Sequence, residues 1–523
     1  MKWKEILKKI LTSGIWIQPI AYCLLAHFLK RWELVELTDQ QIRNMSLFGS
    51  FVAVFLLWTE SLNQPNVKQA MTGKKNAMYP EIPNTLLHKK PLGIMLGRDK
   101  RSGKYVCKKL NEDGHVFLIG GSGSGKSSAF VIPTLLLNNG TRVFAIDIKG
   151  ELSFKSTKYG SDHVRIFNPS DRSKYGYNPL YNLTEKSTTQ QIMEVMQNIS
   201  YSLISLPAGL KDPFWKTSAR NLLTGLLVYY YRQGTTEFVS IIDEILKRPV
   251  KESIKAVMDN AKPTSVEYRY IVQFKDMEDE TLGGIVAEMN NHLVIFANDQ
   301  DIRYSFMTNP NRVNPLNLEE GYSIYLSIKE EKLSDYYDVM QLIINQTLAQ
   351  LEKRPEDSEP IIFVIDELPR ILSAGKLDRL LDGARTLRSR KVCLFLITQS
   401  TEALMSAFTE NEVEDLISNC PYIIVLSASS QKTQKSVCSW CGKYKARKTS
   451  WNDSGRKGKL NVSYEEKEIV DPADLLTLKN TGEAILITPY GYSRVKKVPY
   501  YEDKILKPIS EEIIKYNKTI STM

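Results

Sequence analysis

The sequence predicts an α/β fold: a parallel sheet flanked by helices, interrupted by an all-helical insertion and preceded by a two-helix membrane anchor. Three observations carry this reading. Short apolar runs alternate with helical stretches through residues 93–182 and 301–509, the pattern of a parallel sheet covered on both faces. Between these blocks, residues 183–300 show helical periodicity and little strand signal. Near the N-terminus, two runs without Asp, Glu, Lys or Arg lie close together, at 10–29 and 44–59.

The N-terminal runs come first in the chain. Residues 10–29 are long enough to cross a hydrocarbon core of about 30 Å. Residues 44–59 are shorter, so their flanks would snorkel or the bilayer would thin. A secretory signal peptide fits poorly, because no small-residue cleavage site follows and a second apolar run does. Lys2, Lys4, Lys8 and Lys9 precede the first run, and Lys68, Lys74 and Lys75 follow the second. The positive-inside rule then puts both ends in the cytoplasm and makes residues 1–62 a multi-pass anchor in the cell (inner or cytoplasmic) membrane. Residues 63–92, polar and broken by Pro65, Pro80, Pro83 and Pro91, read as a linker.

Composition narrows the class further. With 42% hydrophobic and 24% charged residues in 523, disorder, collagen and coiled coil are excluded. The net charge of +10 favours polyanionic partners, either nucleic acid or an anionic membrane face. Six cysteines do not make a disulfide framework at this length. Cys438 and Cys441 lack the second ligand pair that zinc needs, so they read as buried thiols in a reducing compartment.

The first strand of chemical interest, His115–Ile119, runs into Gly120-Gly121-Ser122-Gly123-Ser124-Gly125-Lys126-Ser127-Ser128 and then a helical stretch. This is the G-x-x-x-x-G-K-[ST] phosphate loop in its strand–loop–helix setting. Glycines let backbone N–H groups curl around a phosphate, and the following helix aims its positive end there. In ATP chemistry Lys126 would bridge the β- and γ-phosphates, and the Ser127 hydroxyl would ligate Mg²⁺; residues 120–128 form the nucleotide-binding set.

A second strand, Ile361–Ile365, ends in Asp366-Glu367. Such an acidic strand end suits Asp366 as the Mg²⁺ ligand and Glu367 as the general base that polarises the attacking water. A third strand, Val392–Ile397, ends in Thr398-Gln399, which places Gln399 to sense the γ-phosphate or position the water. Arg142–Ile146 is a further strand, ending in Asp147, with Glu151 beyond it; both acids read equally as structural or as orienting groups. Arg385, Arg388 and Arg390 precede the Gln399 strand, and Arg388 is the candidate arginine finger supplied across a subunit boundary.

The insertion is legible as helices at STTQQIMEVMQNISYSLI, DPFWKTSARNLLTGLLVYYYRQ and GGIVAEMNNHLVIFAN. Residues 432–459 interleave lysines and arginines with Trp440, Tyr444 and Trp451; the stretch reads either as a nucleic-acid surface or as a solvated loop. Residues 510–523 read as a tail.

Taken together, DGHVFLIGGSGSGKSS, AIDIKGEL, YNPL, DPFWKTSARNLL, NRVNPLNL, RTLRSRKVCLFLITQS, GEAILITPYG and VPYYEDK, in this order, resemble the coupling proteins of type IV secretion systems, the TraG/TraD-like conjugative ATPases. The resemblance runs from about 93 to 503. The segment holding Arg388 departs from it, with Thr-Leu where that family often has a small residue. The resemblance implies a RecA-like P-loop NTPase domain with a helical lid, anchored by two spans and acting as a homohexamer. It implies ATP and Mg²⁺ as cofactors, and single-stranded DNA with bound relaxase, secretion-channel components and the membrane as partners. Two other readings compete: a double-stranded DNA pump of the chromosome-segregation type, and a docking receptor stabilised by nucleotide without motor activity. No LSGGQ-like signature supports an ABC transporter.

Overall fold

The computed structural model describes Gln40 and residues 82–206, 210–373, 375–452 and 459–521. Both apolar runs, 10–29 and 44–59, lie outside the described residues. Among the described residues, no helix is long and apolar enough to cross a membrane.

In chain order the strands are β1 (Leu87–His88), β2 (Ile94–Asp99), β3 (Tyr105–Lys108), β4 (Val116–Ile119), β5 (Arg142–Asp147), β6 (Val164–Phe167), β7 (Gly176–Tyr177) and β8 (Arg312–Val313). They continue with β9 (Ser323–Ser327), β10 (Ile361–Ile365), β11 (Val392–Thr398), β12 (Tyr422–Val425), β13 (Lys443–Asn452), β14 (Lys459–Glu468), β15 (Glu483–Thr488) and β16 (Gly491–Lys496).

The chain divides into two units, Met1–Tyr79 with Lys443–Lys467, and Pro80–Gly442 with Glu468–Met523. Strands β13 and β14 pair as a separate two-stranded sheet. The basic stretch 432–459, read as a surface or a loop, thus takes in most of the helix Gln431–Cys441, strand β13 and the first residue of β14.

The larger unit is built on a 12-stranded sheet of order β1-β3-β2-β16-β15-β12-β4-β11-β10-β5-β9-β6. From β12 to β6 the neighbours are parallel. From β15 outward to β1 each pairing is antiparallel, an extension not anticipated from sequence.

The central strands are apolar at nearly every position because both faces are covered. Phe117, Phe144, Phe363 and Leu394 point into one buried cluster, and their neighbours Leu118, Ala145, Val364 and Phe395 into the other. Phe144 and Phe363 stack across β5 and β10 at 4.6 Å between centroids. Truncating either would leave a void costing about 3–5 kcal/mol.

Between β7 and β8, every described regular element is helical. Thr188 opens the first of these helices, Thr189–Leu203, with a reciprocal capping box to Gln191, worth about 1 kcal/mol. β7 and β8 pair in parallel, Gly176 with Arg312 and Tyr177 with Val313, so entry to and exit from this region are tied together. Salt bridges Arg312–Glu237 (2.7 Å) and Arg303–Asp243 (2.7 Å) reinforce the junction.

Two segments differ from the sequence expectation. Within the linker read at 63–92, Leu86 is buried and β1 adds an edge to the sheet through β3. The tail read at 510–523 is, up to Ser521, part of the helix Leu506–Ser521. It packs through Ser510 Oγ, which donates to Lys155 O (2.9 Å), and Asn517 Nδ2, which donates to Phe154 O (2.9 Å). Leu506 and Ile513 of the same helix are buried in the core cluster that also holds Leu118 and Val364. Cys438 and Cys441 are buried free thiols, as expected, with Cys438 Sγ donating to Val470 O.

Candidate nucleotide site

The parallel strands end together along one edge of the sheet, and the loops there converge. Register aligns Ile365 of β10 with Leu396 of β11 and with Ile146 of β5. Asp366, Gln399 and Asp147 therefore emerge beside the loop that follows β4, at the edge where such sheets bind ligands.

The loop 120–126 curls because Gly123 and Gly125 have φ of 72° and 90°, a region that costs a residue bearing Cβ. Its base is fixed by Gly120 N–H to Thr398 O (3.1 Å) and Gly121 N–H to Ser427 Oγ (2.9 Å). The helix follows through a π-helical turn, Ser127–Val131, into Ile132–Leu137.

Lys126 Nζ donates to the carbonyls of Gly120 (2.7 Å) and Gly121 (3.2 Å). Burial pushes its amine down, against the pull of Asp366 and Glu367. Ser127 Oγ donates to Asp366 Oδ2 at 3.4 Å, so residues 239 positions apart share one point. The Asp366 carboxyl is pushed up to about 6, first by burial and then by repulsion from Asp147 and Glu367. Such mutual repulsion among acids is relieved by a cation.

Glu367 adopts φ 64°, ψ 55°, a conformation a non-glycine residue keeps only where its surroundings enforce it, at about 1–3 kcal/mol. Its carboxylate accepts from Gln399 Nε2 (3.0 Å) and pairs with Arg370 Nε (3.5 Å). Arg370 also pairs with Glu330. Asp147 resolves toward the structural reading: it is buried and accepts from Leu152 N–H (3.1 Å), Ser153 N–H (2.8 Å) and Ser153 Oγ (2.8 Å), opening the helix Glu151–Ser156. Glu151 pairs with Lys155.

A cavity of about 370 Å³ opens over this group. Residues 122–128, Asp366 and Glu367 line it, together with Lys149, Lys155, Tyr500 and Tyr501, which sequence reasoning did not select. The two tyrosines sit in the quoted VPYYEDK stretch, and no spacing rule ties that stretch to the loop. Arg388 is not brought to this cavity in its own chain. It precedes β11, at the opposite edge of the sheet. The seven residues of β11 separate the two edges, about 20 Å. Arg388 is exposed.

Fold and site define an α/β protein with a phosphate loop facing an acidic strand end. The chain belongs to the family described as "Type IV secretory system Conjugative DNA transfer", whose model matches residues 66–522. It is 22% identical over 420 residues to Protein VirD4 of Agrobacterium fabrum, covering 78% of this chain and 62% of that protein. It is also 22% identical over 461 residues to the conjugal transfer protein TraG of Escherichia coli, covering 77% and 71%. The chain spans 60% of the length of the Rhizobium radiobacter VirD4. Among solved structures, the plasmid coupling protein TrwB in complex with the ATP analogue ADPNP superposes with TM-score 0.60 at 16% identity, over 81% of this chain and 96% of that one. At that identity the likeness is one of fold.

Proposed function

We propose that this chain is a membrane-anchored ATPase that recruits a relaxase–DNA complex and drives its transfer through a type IV secretion channel during conjugation. The observation that carries the reading is the 3.4 Å contact between Ser127 Oγ and the Asp366 carboxylate, which joins phosphate loop and acidic strand into one magnesium-sized donor set. Family membership supplies the cargo. TrwB has been solved with ADP and Mg²⁺ and with the GTP analogue GDPNP.

The residues fit a magnesium nucleotide. Ser124 Oγ is buried within the loop and, among the described residues, has no hydrogen-bond partner. Backbone N–H groups of 120–128 would cradle the phosphates, with Lys126 leaving its loop carbonyls for the β- and γ-phosphates. Ser127 and Asp366 would hold Mg²⁺, which supplies charge neutralisation on the phosphates. Glu367 would take the proton of the attacking water, and Gln399 would hold that carboxylate and the water in line. Arg388, exposed and at the far edge of its own sheet, is assigned to the site of the neighbouring subunit in a homohexamer.

The assigned organisation is an anchor at 1–62, a linker that begins at 63 and ends before the edge strand β1, a RecA-like domain at 93–182 and 301–509 extended by β1 and the helix Leu506–Ser521, and an all-helical insertion at 183–300. The motor lies on the cytoplasmic side. Turnover of ATP by the full-length chain, with and without single-stranded DNA, tests the reading. DNA-stimulated hydrolysis that disappears in Glu367→Gln supports the motor. Absence of hydrolysis in the parent would replace it with a docking receptor.

A further inference from the structure

The cavity over the phosphate loop has two chemically different kinds of lining. One is the loop with its glycines and Lys126. The other is a wall made by Tyr500 and Tyr501. That wall is attached directly to the phosphate-binding segment: Tyr500 N–H donates to Ser128 O at 3.0 Å. Its position is further fixed by Asp503, two residues beyond Tyr501. Asp503 accepts from Arg98 Nη2 (2.8 Å) and Tyr105 Oη (2.8 Å) on β2 and β3, and from Ile505 N–H (2.9 Å). A tight turn completes the brace, with Glu502 N–H donating to Pro499 O (3.0 Å).

The rings are edge-to-face, 5.3 Å between centroids and 84° between planes. Tyr500 is half-buried and lies under Lys155 Nζ at 5.7 Å. Tyr501 remains 49% exposed. An aromatic ring braced beside a phosphate site and half exposed is suited to act as a stacking platform.

We propose that Tyr501, backed by Tyr500, stacks the nucleobase of the bound nucleotide. The proposal rests on the phosphate-site reading above and adds where the base goes and how it is recognised. Recognition is by the face of the base. Among the described residues the lining holds no Asn or Gln, the side chains whose paired donor and acceptor match an adenine edge. Every base has a π-face, so this site takes adenine and guanine nucleotides with little discrimination.

Equilibrium binding of Mg-ATP, Mg-GTP and base-free Mg-tripolyphosphate to the purified full-length chain tests this. Tyr501→Ala weakens both nucleotides by about tenfold to a hundredfold, Tyr501→Phe stays within about threefold because it keeps the ring, and tripolyphosphate binds all three chains alike. Four results would overturn it. Tyr501→Ala binding Mg-ATP as the parent does, while Lys126→Ala loses it, removes the base platform and leaves the phosphate site standing. An equal loss of tripolyphosphate in Tyr501→Ala makes the tyrosine a structural support of the loop. A parent preference for one purine above about a hundredfold requires edge reading. A parent that binds neither nucleotide nor tripolyphosphate removes the phosphate site and the platform together.

Discussion

Gln399 donates through Nε2 to Oε1 of Glu367 at 3.0 Å, joining the C-terminal ends of two adjacent parallel strands. The bond holds a carboxylate whose backbone is already constrained at φ 64°, so the side chain is oriented from both ends. Gln399 carries no charge to donate and acts through position. Glu367→Gln keeps the size and loses the base; hydrolysis falls by about a hundredfold or more, while Mg-ATP affinity stays within a few-fold. Gln399→Ala leaves Glu367 to Arg370 alone, and kcat falls more than KM changes. Steady-state kinetics on both variants reads this split. An equal rise in KM would make the pair a binding feature instead.

The Asp366 carboxyl at about 6 sets a pH dependence. Mg²⁺ binds the ionised form, so protons compete with the metal as pH falls through 6. Between pH 7 and pH 5 the Asp366 contribution to Mg-nucleotide affinity weakens by about tenfold. The nucleotide titrates in this range too, so the measurement is the difference from Asp366→Asn. Parallel pH profiles for parent and variant would remove Asp366 from the metal.

Much of this site was legible before folding because its chemistry sits on uninterrupted apolar strands. The runs at 116–119, 361–365 and 392–397 are short, apolar at nearly every position and followed by turn or polar residues, which suits strands of a doubly covered sheet. The position of Arg388 was also implicit. In a parallel strand, a residue before the strand lies at the edge opposite the residues after it, so Arg388 and Gln399 occupy opposite edges of one sheet. Tyr500 and Tyr501 were not legible, since more than three hundred residues separate them from Ser128 and only the sheet pairing of β16 with β15 and β2 returns the chain there. The antiparallel strands escaped for a related reason: β16, which ties β2 to the rest of the sheet, is remote from it in sequence.

His115 supplies a stability prediction independent of the nucleotide. It is fully buried, its Nδ1 accepts from Leu394 N–H (3.0 Å) and its Nε2 donates to Ala384 O (3.0 Å), so the neutral ring fills both roles. Burial pushes its pKa down from 6.5 to about 4. The unfolded chain then binds a proton that the folded chain refuses, and stability is lost as pH falls below 6.5. The His115 contribution drops by about 2 kcal/mol between pH 7 and pH 5. Denaturant unfolding of the full chain and of His115→Gln checks it: the variant is weaker at pH 7 but loses less on acidification. Asp366, raised toward 6, acts with the opposite sign in both chains and cancels in the comparison.

Adjacent glycines in the helix Asp279–Asn298 respond in opposite directions to the same substitution. A Cβ at Gly283 meets nothing within 4 Å, whereas one at Gly284 lies 2.6 Å from Trp215 Cζ3. Gly283→Ala therefore gains helix propensity alone and stabilises by about 0.5–1 kcal/mol. Gly284→Ala gains the same propensity but forces the Trp215 ring off the helix, with a net loss of about 1–2 kcal/mol. Trp215 is itself 41% exposed and lies edge-to-face with Phe214 at 5.3 Å, so its displacement shifts tryptophan emission as well as the unfolding midpoint. A stabilised Gly284→Ala with unchanged emission would mean that Trp215 does not rest on this helix in solution, and the packing of the helices Phe214–Arg232 and Asp279–Asn298 would have to be redrawn.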